Sequence, residues 1–274
     1  VEIDEIDACP VQIQGPKSKT LMNDLIGDQV DLDNMPFYGL AEAKVGGRSC
    51  VISQSGFSGE AGYEIYLRNA TKYAEDMWNA VLDAGKKHNL MVIAPAHHRR
   101  IQAGILSWGQ DMDQEHNPFQ CNLGYQVSLS GKGEWNKTAD YVGKEALEKM
   151  KSQIKNGEKP YKLQLVGIEL GGKPIEEYAP DFWLISNGDG GKPVGFITSP
   201  WYHPEKGKNI AMGYVPFEGT LNANGFPKGE IGKKYKVHLP TQYSDVPDKH
   251  VDAVIVEIPF TESFNANTRE VVKG

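Results

Sequence analysis

With 274 residues, 39% of them hydrophobic and 24% charged, the chain is long enough for one large or two ordinary domains with proper cores, and it is expected to be soluble and globular. No apolar run approaches bilayer length, and the first ten residues carry four acids and no base, which is wrong for a signal peptide; a membrane partner is excluded and a cytoplasmic location expected. A formal charge of -7 argues against nucleic acid, whose phosphates require an excess of Lys and Arg.

Val1 to Ile6 alternates like a strand from its first residue, so the chain is expected to begin in the middle of structure. Val11 to Gln14 reads as a short strand, Gly15-Pro16 as a turn, and Lys17 to Ile26 as a helix through Leu21, Met22 and Leu25. Two strands, Tyr38 to Val45 and Arg48 to Ser53, are joined by the hairpin dipeptide Gly46-Gly47. After the glycine-rich Ser55 to Gly62 comes a strand, Tyr63 to Leu67. The clearest helix is Tyr73 to Lys87, with Tyr73, Met77, Val81 and Ala84 on one stripe. Another helix is predicted from His97 to Ser107, behind Pro95.

Residues 132–160 read as a connector holding a short helix, Lys144 to Lys151. Beyond it come strands separated by turns: Leu163 to Leu170, Trp183 to Ser186, Val194 to Thr198, Ile210 to Val215, Tyr235 to Leu239 and Val251 to Glu257. Asn187 to Gly191 is a turn cluster. Many short strands with such turns predict a small β-barrel or sandwich. The expected organisation is therefore α+β: a mixed α/β region over 1–131, the connector, and a β domain over 161–274.

Strand alternation in Tyr63-Glu64-Ile65-Tyr66 puts Tyr63 and Ile65 on one face and Glu64 and Tyr66 on the other. A carboxylate facing a pocket can accept two parallel hydrogen bonds from an amidine-like edge, such as the aminopyrimidine edge of a pterin, as carboxylates take a guanidinium fork. The alternative is an ordinary solvated strand glutamate. The glycines do not form a phosphate loop, because neither glycine-rich stretch ends in Gly-Lys-Ser/Thr before a helix. His97 and His98 are adjacent, so on a helix they point about 100° apart and lack the four-residue spacing of zinc helices; no metal is expected. Arg99 and Arg100 either form a solvated face or hold an anionic ligand tail. Trp108 either faces a ligand or belongs to a core, and Trp201 to Pro204 follows a barrel strand. Cys9, Cys50 and Cys121 are odd in number and widely spaced, which suggests packing residues rather than disulfides. No Cys, His or Ser stands in a nucleophile-and-base arrangement.

Six segments occur in the order found in glycine-cleavage T-proteins: Gln12 to Ser18, Ser55 to Ile65, Ile101 to Gly104, Gly109 to Asp113 with Asn117-Pro118, Val142 to Leu147, and Lys208 to Pro216. The chain resembles that family of folate-dependent transferases, including its demethylase members that act on dimethylsulfoniopropionate or methoxylated aromatic acids. The resemblance implies a C-terminal barrel and a cavity for tetrahydrofolate. It puts the pterin-binding glutamate on Glu64, with Tyr63, Phe57, Arg100 and Trp108 as further cofactor-binding positions. It also implies that a catalytic aspartate belongs to an N-terminal segment absent from this sequence, so no catalytic residue is assigned. Ala96 stands where T-proteins have an arginine and Gln102 where they have a glutamate; the family's C-terminal tyrosine has no counterpart around Phe264 and Asn265. These departures favour a demethylase or another divergent member, with a small methyl donor as partner and no lipoyl carrier, over aminomethyl transfer in glycine cleavage; a non-catalytic folate-binding protein of the same fold is the alternative from another class.

Overall fold

The structure, a computed structural model, describes residues 4–129, 140–188, 191–247 and 249–261. Val1 to Ile3, the centre of the Asn187–Gly191 turn, the first residues of the predicted connector, and Phe264 with Asn265 lie outside them. The chain divides into two compact units, one of residues 1–103 with 261–274 and one of residues 104–260.

In the first unit, β1 (Ala8–Gln14), β2 (Leu40–Val45), β3 (Arg48–Ser53) and β4 (Gly62–Arg68) form an antiparallel sheet in the order β1-β4-β3-β2. Because side chains alternate across a strand, Ile13, Ala43, Val45, Cys50, Ile52, Tyr63, Ile65 and Leu67 all fall on one face. That face is covered by α1 (Ser18–Ile26), through Leu21, Met22 and Ile26, and by α2 (Ala70–Gly85), through Met77 and Val81. Each large apolar side chain so buried contributes about 1.5–3 kcal/mol. Of the alternation predicted over Val1 to Ile6, the described residues Asp4 to Ile6 belong to no strand: β1 begins at Ala8, where its partner β4 ends at Arg68, opposite Ala8. The segment before β1 has another use. The Asp7 carboxylate accepts from the Thr71 amide (3.0 Å) and hydroxyl (3.0 Å), capping α2 where Asn69, in the left-handed region, supplies no side-chain cap.

The helix predicted to reach Ser107 is the shorter α3 (His97–Gln102). It stops there because Ala103 caps it and Gly104 turns the backbone to a φ of 69°.

In the second unit, β5 (Leu163–Leu170), β6 (Trp183–Ser186), β7 (Pro193–His203), β8 (Lys208–Pro216), β9 (Lys234–His238) and β10 (His250–Val256) close into an antiparallel barrel in the order β10-β5-β8-β7-β6-β9. Its interior is filled by Val166, Ile168, Ile185, Ile197, Ala211, Val237, Ala253 and Ile255 among others. Trp201, Tyr202 and His203 do not follow a strand; they are the end of β7, paired with Ile210, Asn209 and Lys208 of β8. Pro200 is tolerated inside β7 because the amide of Tyr202, two residues on and facing the same edge, donates to Ile175 rather than to β8, so the donor a proline lacks is on the side away from the ladder.

The segment 104–129, grouped by the sequence reading with the α/β region, packs in this second unit on the outside of β5 and β8. Buried Asp111 organises it: Thr198 and Ser199 hydroxyls donate to its Oδ1 (both 2.6 Å), the Ser107 amide donates to Oδ2 (2.8 Å), and Tyr214 donates to its backbone carbonyl (2.7 Å). This double coverage explains why β5 and β8 are buried on both faces. The helix α4 (Lys144–Lys155) runs four residues past its predicted end. No helix among the described residues is long and apolar enough to cross a membrane.

The Glu64 carboxylate as candidate functional site

The helices fill one face of the first unit's sheet, so the alternate residues of β1, β3 and β4 come together on the other. Glu64 lies on that face, with Gln12 of β1 opposite it on one side and Ser53, the last residue of β3, opposite on the other. Its carboxylate is held from three directions. Gln12 Nε2 donates to Oε1 at 2.9 Å; Tyr66 donates its phenol to Oε2 at 3.0 Å, and Ser55 Oγ also donates to Oε2. All three partners are donors, so the carboxylate serves as acceptor in each of these contacts. Burial, together with the hydrogen bond to Glu64 and its charge, pushes the Tyr66 phenol up from its ordinary value, so it remains a donor.

The glycine-rich loop is fastened to the same place. The Phe57 amide donates to Gln12 Oε1 (3.3 Å), so the Gln12 carboxamide links the loop to the Glu64 carboxylate. Gln14 Nε2 donates to the Ser55 carbonyl (3.1 Å), and Ser58 Oγ donates to Gln14 Oε1 (2.5 Å). Here lies the reason for two of the glycines. A Cβ at Gly56 or Gly62 would stand 2.2 or 2.3 Å from the Gln14 carboxamide, so both positions are kept bare for that clamp rather than for a bend. Arg99 joins α3 to the loop through Glu60, at 2.8 Å.

Of the positions proposed from the sequence, Glu64 and Phe57 are brought together. Tyr63, adjacent in sequence, is 2% exposed in the helix-covered core on the opposite face. Arg100 is 1% exposed, with its Nε donating to His97 Nδ1 at 3.3 Å, while Arg99 is the more exposed of the pair. Trp108 belongs to the second unit, where it is 68% exposed beside a backbone bridge to Met112. Gln12, Ser53, Ser55 and Tyr66 were in view in the sequence without a role. Only the pairing of β1 and β3 with β4 reveals them, although the two-residue step from Glu64 to Tyr66 already puts both on one face. Among the described residues no group of three or more His, Cys, Asp or Glu is placed to hold a metal ion.

Residues 1–131 match the family described as the GCVT N-terminal domain, and residues 164–262 match the glycine cleavage T-protein C-terminal barrel domain. Dimethylsulfoniopropionate demethylase DmdA of Ruegeria pomeroyi is 33% identical over 217 residues, 78% of this chain and 53% of that protein. An aminomethyltransferase of Thermotoga maritima is 31% identical over 252 residues, 91% of this chain and 58% of the relative. The crystal structure of glycine cleavage system aminomethyltransferase T from Bartonella henselae superposes with a TM-score of 0.66 at 20% identity, covering 94% of this chain and 60% of that one, which supports the fold. The chain thus spans between half and two thirds of the length of these proteins.

Proposed function

Because this chain belongs to the glycine cleavage T-protein family, we propose that it is the greater part of a tetrahydrofolate-dependent one-carbon transferase in which Glu64 anchors the pterin. The observation that carries the reading is the Glu64 carboxylate itself, oriented by Gln12, Ser55 and Tyr66 on the sheet face opposite the core. A carboxylate offers about four acceptor positions and three are used, so the donor set fits a ligand that brings N–H groups. Tetrahydrofolate supplies N5 as the nucleophile that receives the carbon. What this chain contributes is alignment: a carboxylate fixed by three side chains on a sheet loses little freedom when it meets its ligand, and positioning supplies much of the rate of such a displacement.

Among the chemistries in the family, we favour demethylation of a small methyl donor in the cytoplasm, without a lipoyl carrier. The likeness to DmdA and the replacements at Ala96 and Gln102 support that choice over aminomethyl transfer. The test uses the full-length protein with tetrahydrofolate and a panel of sulfonium, quaternary ammonium and methoxy-aromatic donors, followed by chromatography for 5-methyltetrahydrofolate. Product from at least one donor is expected. Turnover only with an aminomethyl-loaded lipoyl carrier overturns the demethylase choice, and folate binding without turnover of any kind overturns the enzyme reading. Glu64→Gln should weaken tetrahydrofolate binding about ten- to a hundredfold, as expected for loss of charge-assisted hydrogen bonds.

A further inference from the structure

Resting on the reading of Glu64 as the pterin anchor, we propose that Ser53 and Ser55 form a hydroxyl relay that opens Glu64 to a two-donor ligand edge. Without ligand, Ser55 donates to the carboxylate; with ligand, the same O–H turns to Ser53 Oγ.

The reasoning begins with lone pairs. Each carboxylate oxygen offers about two. Oε2 receives both Ser55 and Tyr66, so it is full, whereas Oε1 receives only Gln12. An edge presenting two parallel N–H donors needs one position on each oxygen. As the site stands, Oε1 can answer and Oε2 cannot, so one hydroxyl must leave.

The two candidates differ in what leaving costs them. The Tyr66 hydroxyl, which conjugation keeps in the plane of its ring, has Glu64 as its one protein acceptor among the described residues, so turning it away gives up that bond with no protein partner in exchange. The Ser55 hydroxyl turns about a single bond, and Ser53 Oγ waits 3.0 Å away as a second acceptor. Both serines are buried, at 5% and 7% exposure. A hydroxyl displaced into such a place without a new partner would be heavily penalised, and Ser53 removes that penalty. The strand register makes the arrangement possible, because Ser53 lies directly opposite Glu64 in the β3–β4 pair. The proton stays on Ser55 Oγ throughout and only its direction changes. Ser53 is therefore a positioning residue that acts on ligand preference without touching the ligand.

The test compares tetrahydrofolate with an analogue lacking the exocyclic 2-amino group, titrated by calorimetry into the full-length protein. The wild type should prefer tetrahydrofolate about ten- to a hundredfold. Ser53→Ala should cut that preference about fivefold or more while leaving the analogue's Kd within about twofold of wild type, since a single donor needs only Oε1. Ser53→Thr, which keeps the hydroxyl, should restore it. In a Ser55→Ala background, where no hydroxyl remains to be turned, adding Ser53→Ala should change nothing. Undiminished preference in Ser53→Ala, or equal weakening of both ligands, overturns the relay. Glu64→Gln separates the premises: if it discriminates as wild type does, the anchor reading fails, whereas loss in Glu64→Gln with none in Ser53→Ala removes the relay alone.

Discussion

Asp111 shows how much one buried carboxylate can organise when its acceptor positions are filled. Asp111→Ala would leave the Ser107 amide and the Ser199 hydroxyl without this acceptor and would remove the Thr198 link between the 104–129 segment and β7. We expect a loss of about 3 kcal/mol, read from the urea midpoint at unchanged slope, and less than half of that for Asp111→Asn, which keeps an acceptor oxygen. A second residue ties stability to pH. Burial holds the His203 imidazole below its ordinary value, and its Nδ1 accepts the Lys206 amide (3.4 Å), so the folded ring is neutral with its proton on Nε2. The unfolded chain then binds a proton more readily than the folded one. Stability attributable to His203 is intact above about pH 6.5 and is lost as pH falls from there through the lower folded value. His203→Gln should therefore show a shallower decline than wild type between pH 7.5 and 5 in parallel denaturation series, and coincident slopes would refute the assignment.

At the level of elements, the β2–β3 hairpin provides a graded test. Gly46 and Gly47 have φ values of 56° and 77°, which glycine accepts freely. A Cβ at Gly47 meets nothing within 4 Å, but one at Gly46 would stand 3.1 Å from both the Asp76 carbonyl and the Ala80 Cβ of α2. Gly47→Ala should cost about 1 kcal/mol from backbone strain alone, and Gly46→Ala visibly more because α2 must also give way; thermal denaturation of the two variants gives the order. The same hairpin shows what the sequence reveals well. Arg48–Ser53, Leu163–Leu170 and Trp183–Ser186 have the limits their patterns predict, because glycines or polar turns end them on both sides. Where tertiary partners decide, the pattern misleads. Asp4 to Asp7 continue an acidic alternation but belong to no strand, β7 runs on through Pro200, whose missing donor faces away from β8, and the cap of α2 comes from Asp7, far away in sequence. The candidate site divides in the same way. Glu64 is legible from its strand and the segments around it, but its supports sit on three different strands and loops, and only their register brings them together.

Across the molecule, each unit has its own apolar core, and the barrel's closure is uneven. The β5–β8 pair runs over eight residues, whereas β6 meets β9 only at Ile185–Val237 and Ser186–Lys236. Amides of β6 and β9 should exchange with deuterium before those of β5 and β8, and the reverse order would argue against this seam as the point of first opening. In β4, Tyr63, Ile65 and Leu67 answer to the core, and Glu64 and Tyr66 answer to the opposite face. A shift by one residue would exchange the two sets and destroy both, so the strand's phase is fixed. Within that phase, the outward residues are released from the demands of folding. A side chain on that face can be exchanged while the packed face, and with it the strand's place in the sheet, stays as it is.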